Sequence, residues 1–129
     1  MLGDAIYSIL SNDATLTGLV STRIYPVQAP QRTSQPFVVY RETTTIPTDQ
    51  KDGAAPKDQK QFQVDIYASG YRDAHTIAHR IRTLLDAYSN TVAGVVIRQM
   101  WFSDQDDGDF VEDMGFYAVS QVYEARVQR

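Results

Sequence analysis

The stretch that most constrains the fold runs over residues 60–88, because it holds both the clearest strand pattern and the clearest helix pattern of the chain. Up to Ala68, apolar and polar residues alternate, which is the period of a strand with one buried face. After Ser69 and Gly70, apolar residues recur at helical spacing from Ala74 to Tyr88. The stretch therefore predicts a strand, a short turn and an amphipathic helix that packs on the strand.

Weaker patterns predict the elements on either side of this unit. They are a helix ending at residues 11–13, a short helical turn at 14–20, a brief strand at 23–25, a loop at 26–36, and strands at 37–45, 95–103 and 115–127. The predicted order is α-β-β-β-α-β-β. This order predicts the α+β class, with a mainly antiparallel sheet of about four strands and two helices packed on one face.

Size and composition exclude several classes of protein. The chain has 129 residues, and we expect residues 1–129 to form a single domain. It contains no cysteine, which excludes disulfide frameworks and thiolate metal sites. No window approaches the roughly 18 apolar residues of a membrane span, and we expect neither a signal peptide nor a membrane partner. The net charge of −4 argues against general affinity for nucleic acid.

Residues 46–59 have the composition of a long mobile loop. They include two prolines, one glycine and five charged residues, and they are longer than a hairpin connection needs. Long loops in compact domains are commonly functional. We therefore count Asp49, Lys51, Asp52 and Lys57 among the candidate interface residues.

An acidic run at residues 104–113 makes the chain electrostatically uneven. It holds six carboxylates and no basic residue, so the remainder of the chain carries a net charge of +2. The spacing of its glycines and carboxylates does not match a calcium-binding loop. A polar hairpin tip explains the run more simply than a catalytic carboxylate pair, and docking on a basic partner is a third use. The candidate interface residues here are Asp104, Asp106, Asp107 and Asp109.

The strand predicted at residues 95–103 is apolar on both faces. Strict alternation places Val95, Ile97 and Trp101 on one face and Val96, Met100 and Phe102 on the other. Helices cover only one face of such a sheet. Either loops such as residues 26–36 fold across the second face, or another subunit covers it. Met100 and Phe102 are therefore further candidate interface residues.

Motifs that carry chemistry are weak in this sequence. His75 and His79 stand four residues apart on the predicted helix, a spacing that suits zinc, but Thr76 occupies the position where a zinc protease has glutamate. A solvated helix face explains both histidines better. The chain has no glycine-rich nucleotide loop and no nucleophile elbow, so an enzyme is the weaker hypothesis and no catalytic, metal or cofactor residue is predicted.

The order of the patterns resembles a known family, the tail-completion or tail-terminator proteins of long-tailed (siphovirus-type) bacteriophages and prophages. The similarity covers nearly the whole chain. Its most telling segments are Arg23-Ile24-Tyr25-Pro26, Ala29-Pro30-Gln31, Pro36-Phe37-Val38-Val39-Tyr40 and Gln63-Val64-Asp65-Ile66-Tyr67. Each segment stands in the order that the family shows, and none is a catalytic motif.

This resemblance implies a structural role in the virion, without a cofactor. Such proteins close the head-proximal end of the tail tube as a six-fold ring, stop tail elongation and present the docking surface for the head connector. The implied partners are other copies of the chain, the tail tube protein and the connector or neck protein. The implied location is the head–tail interface, after assembly in the host cytoplasm. A neck or head-completion protein of the same virion, a small α+β enzyme and a monomeric binding module stay open as alternatives.

Overall fold

The computed structural model describes residues 2–30, 36–48, 57–107 and 115–128. Within them lie three helices and six strands. The helices are α1 (Leu2–Ser11), α2 (Ala14–Val20) and α3 (Tyr71–Leu85), and the strands are β1 (Ile24–Pro26), β2 (Phe37–Thr48), β3 (Lys57–Ala68), β4 (Tyr88–Val92), β5 (Val95–Asp107) and β6 (Tyr117–Gln128).

The six strands form one mixed sheet, and this overturns the predicted fold class. The strand order is β1-β2-β3-β6-β5-β4. The pair β1–β2 is parallel and every other pair is antiparallel. An antiparallel sheet of about four strands with two helices, in the order α-β-β-β-α-β-β, is therefore wrong. The observed order of the described elements is α-α-β-β-β-α-β-β-β.

The strand–turn–helix unit at the centre of the sequence is confirmed. In β3, the buried residues Phe62, Val64, Ile66 and Ala68 alternate with partly exposed ones. In α3, the buried residues are Ala74, Ile77, Ala78, Ile81 and Leu85, which form one stripe at helical spacing. These two apolar surfaces face each other, because burying both removes the largest local areas of apolar side chain from water.

The helix α3 ends earlier than its apolar spacing predicts. Asp86 has an extended backbone, with φ −72° and ψ 135°, and Ala87 has a positive φ of 58°. The chain therefore leaves the helix after Leu85 and turns back as β4, which includes Tyr88. Tyr88 fits the helical spacing of α3 and also lies next to the core as part of β4. Periodicity alone therefore assigned it to the helix and not to the strand.

One continuous core joins all three helices to the same face of the sheet. It combines the buried stripes of α1, α2 and α3 with the buried alternate residues of the strands. Its largest aromatic pair is Phe62 of β3 and Tyr123 of β6, whose rings stack with centroids 5.3 Å apart. Gln121 is the buried polar residue of this core among the described residues. We call this side the helix-covered face and the other side the open face.

Asp13 joins the two helices α2 and α3. Its Oδ2 accepts a hydrogen bond of 2.8 Å from the backbone N–H of Leu16, which caps the N-terminus of α2. Arg80 of α3 donates to both carboxylate oxygens, from Nε at 2.9 Å and from Nη2 at 2.6 Å. These hydrogen bonds from the Arg80 guanidinium hold the pKa of Asp13 below its usual value. One carboxylate thus caps one helix and anchors it to another.

Two bulges in β5 change which side chains face the helices. The pairing with β6 shifts between Ile97 and Gln99 and again between Phe102 and Asp104, so Arg98 and Ser103 are extra residues. Because one extra residue reverses the alternation, Met100 and Phe102 follow Val95 and Ile97 onto the helix-covered face. The predicted division, with Trp101 beside Ile97 and Met100 opposite, is therefore wrong.

The predicted loop at residues 46–59 is wrong at both of its ends, which belong to strands. Ile46, Pro47 and Thr48 pair with Gln59, Asp58 and Lys57, so β2 and β3 continue into the predicted loop from both sides. Residues 49–56, which include Asp49, Lys51 and Asp52, lie outside the described residues. No described helix is both long and apolar enough to cross a membrane.

Candidate assembly surfaces

The first half of the acidic run belongs to a strand and not to a turn. Asp104, Asp106 and Asp107 are the closing residues of β5, paired with Val122, Ser120 and Val119 of β6. Val119 is buried on the helix-covered face, whereas Ser120 and Val122 lie on the open face. The register therefore separates Asp107 from Asp104 and Asp106. Asp109 lies outside the described residues.

Asp107 is engaged by the N-terminal turn of α3. The hydroxyl of Tyr71 donates a hydrogen bond of 2.9 Å to its Oδ2, which raises the pKa of Tyr71. Nε2 of His75 lies 3.0 Å from Oδ1 of Asp107, which is within ion-pair distance but is not aligned as a hydrogen bond. This buried nitrogen has no hydrogen-bond partner among the described residues. The rings of Tyr71 and His75 also pack, with centroids 4.4 Å apart. Asp107 thus joins β5 to α3 inside the subunit.

Asp104 and Asp106 keep their charges available to a partner. Both residues are exposed, and neither forms an ion pair with any described residue. Among the described residues, Oδ1 of Asp104 accepts only the backbone N–H of the next residue, Gln105, at 2.8 Å. We call these two outward-facing aspartates the acidic end.

Neighbouring polar groups on the open face extend the negative surface. Ser120 stands between Asp106 of β5 and Asp65 of β3, and its hydroxyl donates a hydrogen bond of 2.7 Å to Asp65. Gln63 donates another, of 2.8 Å, to the same carboxylate oxygen. Within the described part of the chain, no group of three or more histidine, cysteine or acidic side chains is arranged to hold a metal ion.

The two helical histidines have different surroundings. His79 is exposed, whereas His75 is partly buried against Tyr71 and Asp107. The prediction that a solvated helix face explains both is therefore right for His79 and wrong for His75. The reason is that Asp107, distant in sequence, lies beside the first turn of α3.

The other predicted interface residues do not gather at the acidic end. Met100 is completely buried on the helix-covered face, so a partner of the folded subunit does not reach it. Phe102 is partly buried; its ring meets Tyr123 edge-on at 5.6 Å, and the Arg82 guanidinium lies 4.0 Å from its centroid. Lys57 pairs with Gln128, at the opposite end of the sheet from Asp106.

Sequence reasoning missed a second charged surface at that opposite end. Arg126 of β6 is exposed, and its guanidinium lies 5.8 Å from the ring centroid of Trp101 on β5. Arg98, the extra residue of the first bulge, is exposed and donates to the side chain of Gln128. We call Arg98, Trp101 and Arg126 the basic face. The one available signal is that Glu124, Arg126 and Gln128 are polar at alternate positions of β6.

The chain itself covers much of the apolar area on the open face. The rings of Phe37 and Tyr67 stack with centroids 4.9 Å apart, and Phe116 meets Tyr67 edge-on at 5.1 Å. Phe37 and Phe116 are consequently buried. Large apolar residues that are exposed lie on separate elements, as with Tyr7 on α1 and Ile46 on β2. The described open face therefore offers charge more than a continuous apolar patch.

A cavity of about 250 Å³ lies between α2, the start of α3 and the residue before β2. Its polar lining consists of Ser69, Asp73 and Thr76, with apolar contributions from Leu19, Pro36 and Ile77. A single carboxylate and two hydroxyl groups, without a described base beside them, do not form a recognisable acid–base pair or nucleophile.

Comparison with known proteins identifies the family. The family described as "Tail completion protein gp17" matches residues 4–128 of the chain. No curated protein matches significantly.

Among solved structures, a chain of the virion of a native gene transfer agent particle is 21% identical, with a TM-score of 0.76 over 97% of this chain and 92% of that chain. A second solved chain is 14% identical, with a TM-score of 0.62 over 99% of this chain and 94% of its own length. These two similarities show the fold. The family match shows that the chain belongs to the tail completion protein gp17 family and is a structural tail or virion protein.

Proposed function

We propose that this chain closes the head-proximal end of a phage tail tube as a six-fold ring, stops tail elongation and presents the surface on which the head connector docks. The observation that carries the proposal is the match of the tail completion family to residues 4–128. The exposed charges of the acidic end and the basic face support it, because a protein that joins two larger assemblies needs more than one docking surface. The proposal includes no catalytic reaction and no cofactor.

A cap is needed because the end of a growing tube exposes the same surface to which the next tube subunits bind. A ring that binds this surface, but does not reproduce it on its other side, ends the growth. The new outer surface then belongs to the ring and not to the tube protein. We expect the chain to occupy the head–tail junction of the virion, and the host cytoplasm during assembly.

The direct test is electron microscopy of particles produced without this chain. We expect overlong tails, or tails of normal length that fail to join heads, and supplying the wild-type chain from a plasmid is expected to restore infectious particles. Normal tails and normal infectivity without the chain would contradict the proposal. Co-sedimentation of the purified chain with connectors, but not with tail tubes, would instead indicate a neck or head-completion protein.

A further inference from the structure

The acidic end and the basic face lie at opposite ends of the same strand pair. In β5, Arg98 and Trp101 precede Asp104 and Asp106, and Arg126 lies opposite Gln99 on β6. Trp101, Asp104 and Asp106 pair with Glu124, Val122 and Ser120, which alternate with the buried residues of β6. Both charged surfaces are therefore on the open face.

The two surfaces do not neutralise each other within one subunit. Along β6, four residues of strand separate Arg126 from Val122, the partner of Asp104, which corresponds to roughly 13 Å, and Arg98 and Asp106 lie farther apart still. The Debye length at physiological ionic strength is about 8 Å, so attraction between the two surfaces is largely screened. The two surfaces can therefore contact different partners at the same time.

Within its own subunit, neither surface is neutralised by ion pairs among the described residues. Arg126 lies over the Trp101 ring and Arg98 donates to the neutral amide of Gln128. Glu124, the carboxylate opposite Trp101, accepts a hydrogen bond of 3.5 Å from Gln59. Two guanidinium groups and one carboxylate leave the basic face positive, while the acidic end has no described base beside it.

We propose that the acidic end of one copy docks on the basic face of a second copy of this chain. The inference deepens the proposed function and rests on it, because it names the contact by which neighbouring ring subunits recognise each other. Arginine suits this contact because its planar guanidinium binds a carboxylate through two parallel hydrogen bonds. The contact of Arg126 with Trp101 restrains the guanidinium before docking, which lowers the entropy lost on association.

Carrying both surfaces on one chain permits closed assembly. In a ring, the acidic end of each copy meets the basic face of the next, so every interface is the same and no charged surface stays unpaired. A two-fold pair would satisfy both surfaces at once and leave none for a third copy. The number of copies in the complex therefore distinguishes the two arrangements.

The test uses two charge-reversed chains. The first carries Arg98→Glu with Arg126→Glu, and the second carries Asp104→Arg with Asp106→Arg. Each chain alone would place like charges together, so we expect self-association at least about tenfold weaker than wild type, and failure to complement particles that lack the chain. Mixing the two chains, or combining all four substitutions in one chain, restores opposite charges at each contact and is expected to restore assembly.

Native mass spectrometry measures the complexes, and complementation of particles lacking the chain reports assembly on tails. Melting temperatures near the wild-type value establish that each variant folds. Thr83→Glu is the charge control, because Thr83 is an exposed residue of α3, about three helical turns from the Tyr71 that contacts Asp107; this variant is expected to assemble normally.

The possible results distinguish a failure of the proposed contact from a failure of the proposed function. Normal assembly of either charge-reversed chain alone would overturn the contact. So would failure of the mixture and of the four-substitution chain, since the acidic end would then bind a different protein. Restored complexes limited to two copies would support the contact and contradict the ring. A wild-type chain that complements without ever forming multimers, in solution or on tails, would overturn both.

Discussion

The two faces of the β5–β6 strand pair differ in how far their side chains are buried. On the helix-covered face, Met100, Tyr123 and Gln121 are completely buried. On the open face, Trp101 is partly exposed and Arg126, Asp104 and Asp106 are exposed. The same two strands thus present a packed interior on one side and separated charges on the other. Packing inside the subunit constrains the first face, whereas the proposed contact between copies would constrain the second.

The two faces also differ in how their polar groups are hydrogen-bonded. Gln121 donates to the backbone oxygen of Ala78 at 2.8 Å and to the side chain of Gln105 at 3.0 Å, and it accepts a hydrogen bond of 2.8 Å from Tyr123. This network satisfies buried groups and fixes α3 against β6. Burial also raises the pKa of the Tyr123 hydroxyl. Among the described residues, Asp104 and Asp106 of the open face have no such internal network, so removing their charges is expected to change the fold least.

The largest expected effect comes from the centre of the helix-covered face. Phe62→Ala removes a completely buried ring that stacks on Tyr123, and we expect the free energy of unfolding to fall by about 3–5 kcal/mol. Urea denaturation measures it. Tyr7→Ala, at a tyrosine that is 44% exposed on α1, is the control and is expected to change stability by less than about 0.5 kcal/mol. Equal losses for the two variants would contradict the central packing role of Phe62 on the helix-covered face.

The next largest effect concerns the buried network. Gln121→Leu retains the side-chain volume but leaves the hydroxyl of Tyr123 without its acceptor, and we expect a loss of about 1–3 kcal/mol. Gln99→Leu, at an exposed position of β5, is the matched control. The double variant Gln121→Leu with Tyr123→Phe removes both partners and is expected to recover part of the loss. No recovery would show that the loss of stability does not come from the missing hydrogen bond between Gln121 and Tyr123.

A smaller effect is expected where α2 joins α3. Asp13→Ala removes the helix cap and the Arg80 partner, and we expect a loss of about 1–2 kcal/mol at neutral pH. Asp13→Asn keeps a capping side chain and is expected to lose less. Because the pKa of Asp13 is lowered in the folded chain, its charge stabilises the fold above about pH 4 and this contribution disappears as the pH falls further. Urea midpoints of wild type and Asp13→Asn are therefore expected to converge in acid; a constant difference down to strong acid would contradict this.

The smallest effect on stability is expected at the acidic end. Asp104→Asn with Asp106→Asn is expected to leave stability within about 0.5 kcal/mol of wild type, or to raise it slightly, because the change removes repulsion between exposed carboxylates. Assembly is expected to weaken as it does when salt is added. Calcium- or magnesium-dependent melting that the variant loses would instead identify a metal site.

Asp107→Asn provides the comparison within the acidic run. It weakens the contacts with Tyr71 and His75. We therefore expect faster amide hydrogen exchange at the end of β5 in this variant, but not in the variant of Asp104 and Asp106. Equal exchange in both would show that Asp107 does not hold β5 to α3.

Local periodicity predicted the parts of the fold whose burial repeats along the chain. The alternation in β3 and the apolar stripe of α3 are visible in the sequence because each buried position follows from the previous one by a fixed step. The sequence patterns did not predict β4, because its first residue, Tyr88, also fits the helical spacing. The family resemblance was likewise visible from the order of the segments, and the family match confirms it.

The sequence by itself thus determined the central strand and helix, the concentration of acid between residues 104 and 113, and the family. Only the tertiary structure decided which aspartates face outward and where the opposing arginines lie. The extra residues Arg98 and Ser103 reverse the alternation of β5, and whether a residue is extra depends on its pairing with β6. Strand register is set by contacts between distant segments, and a local pattern contains no information about its partner.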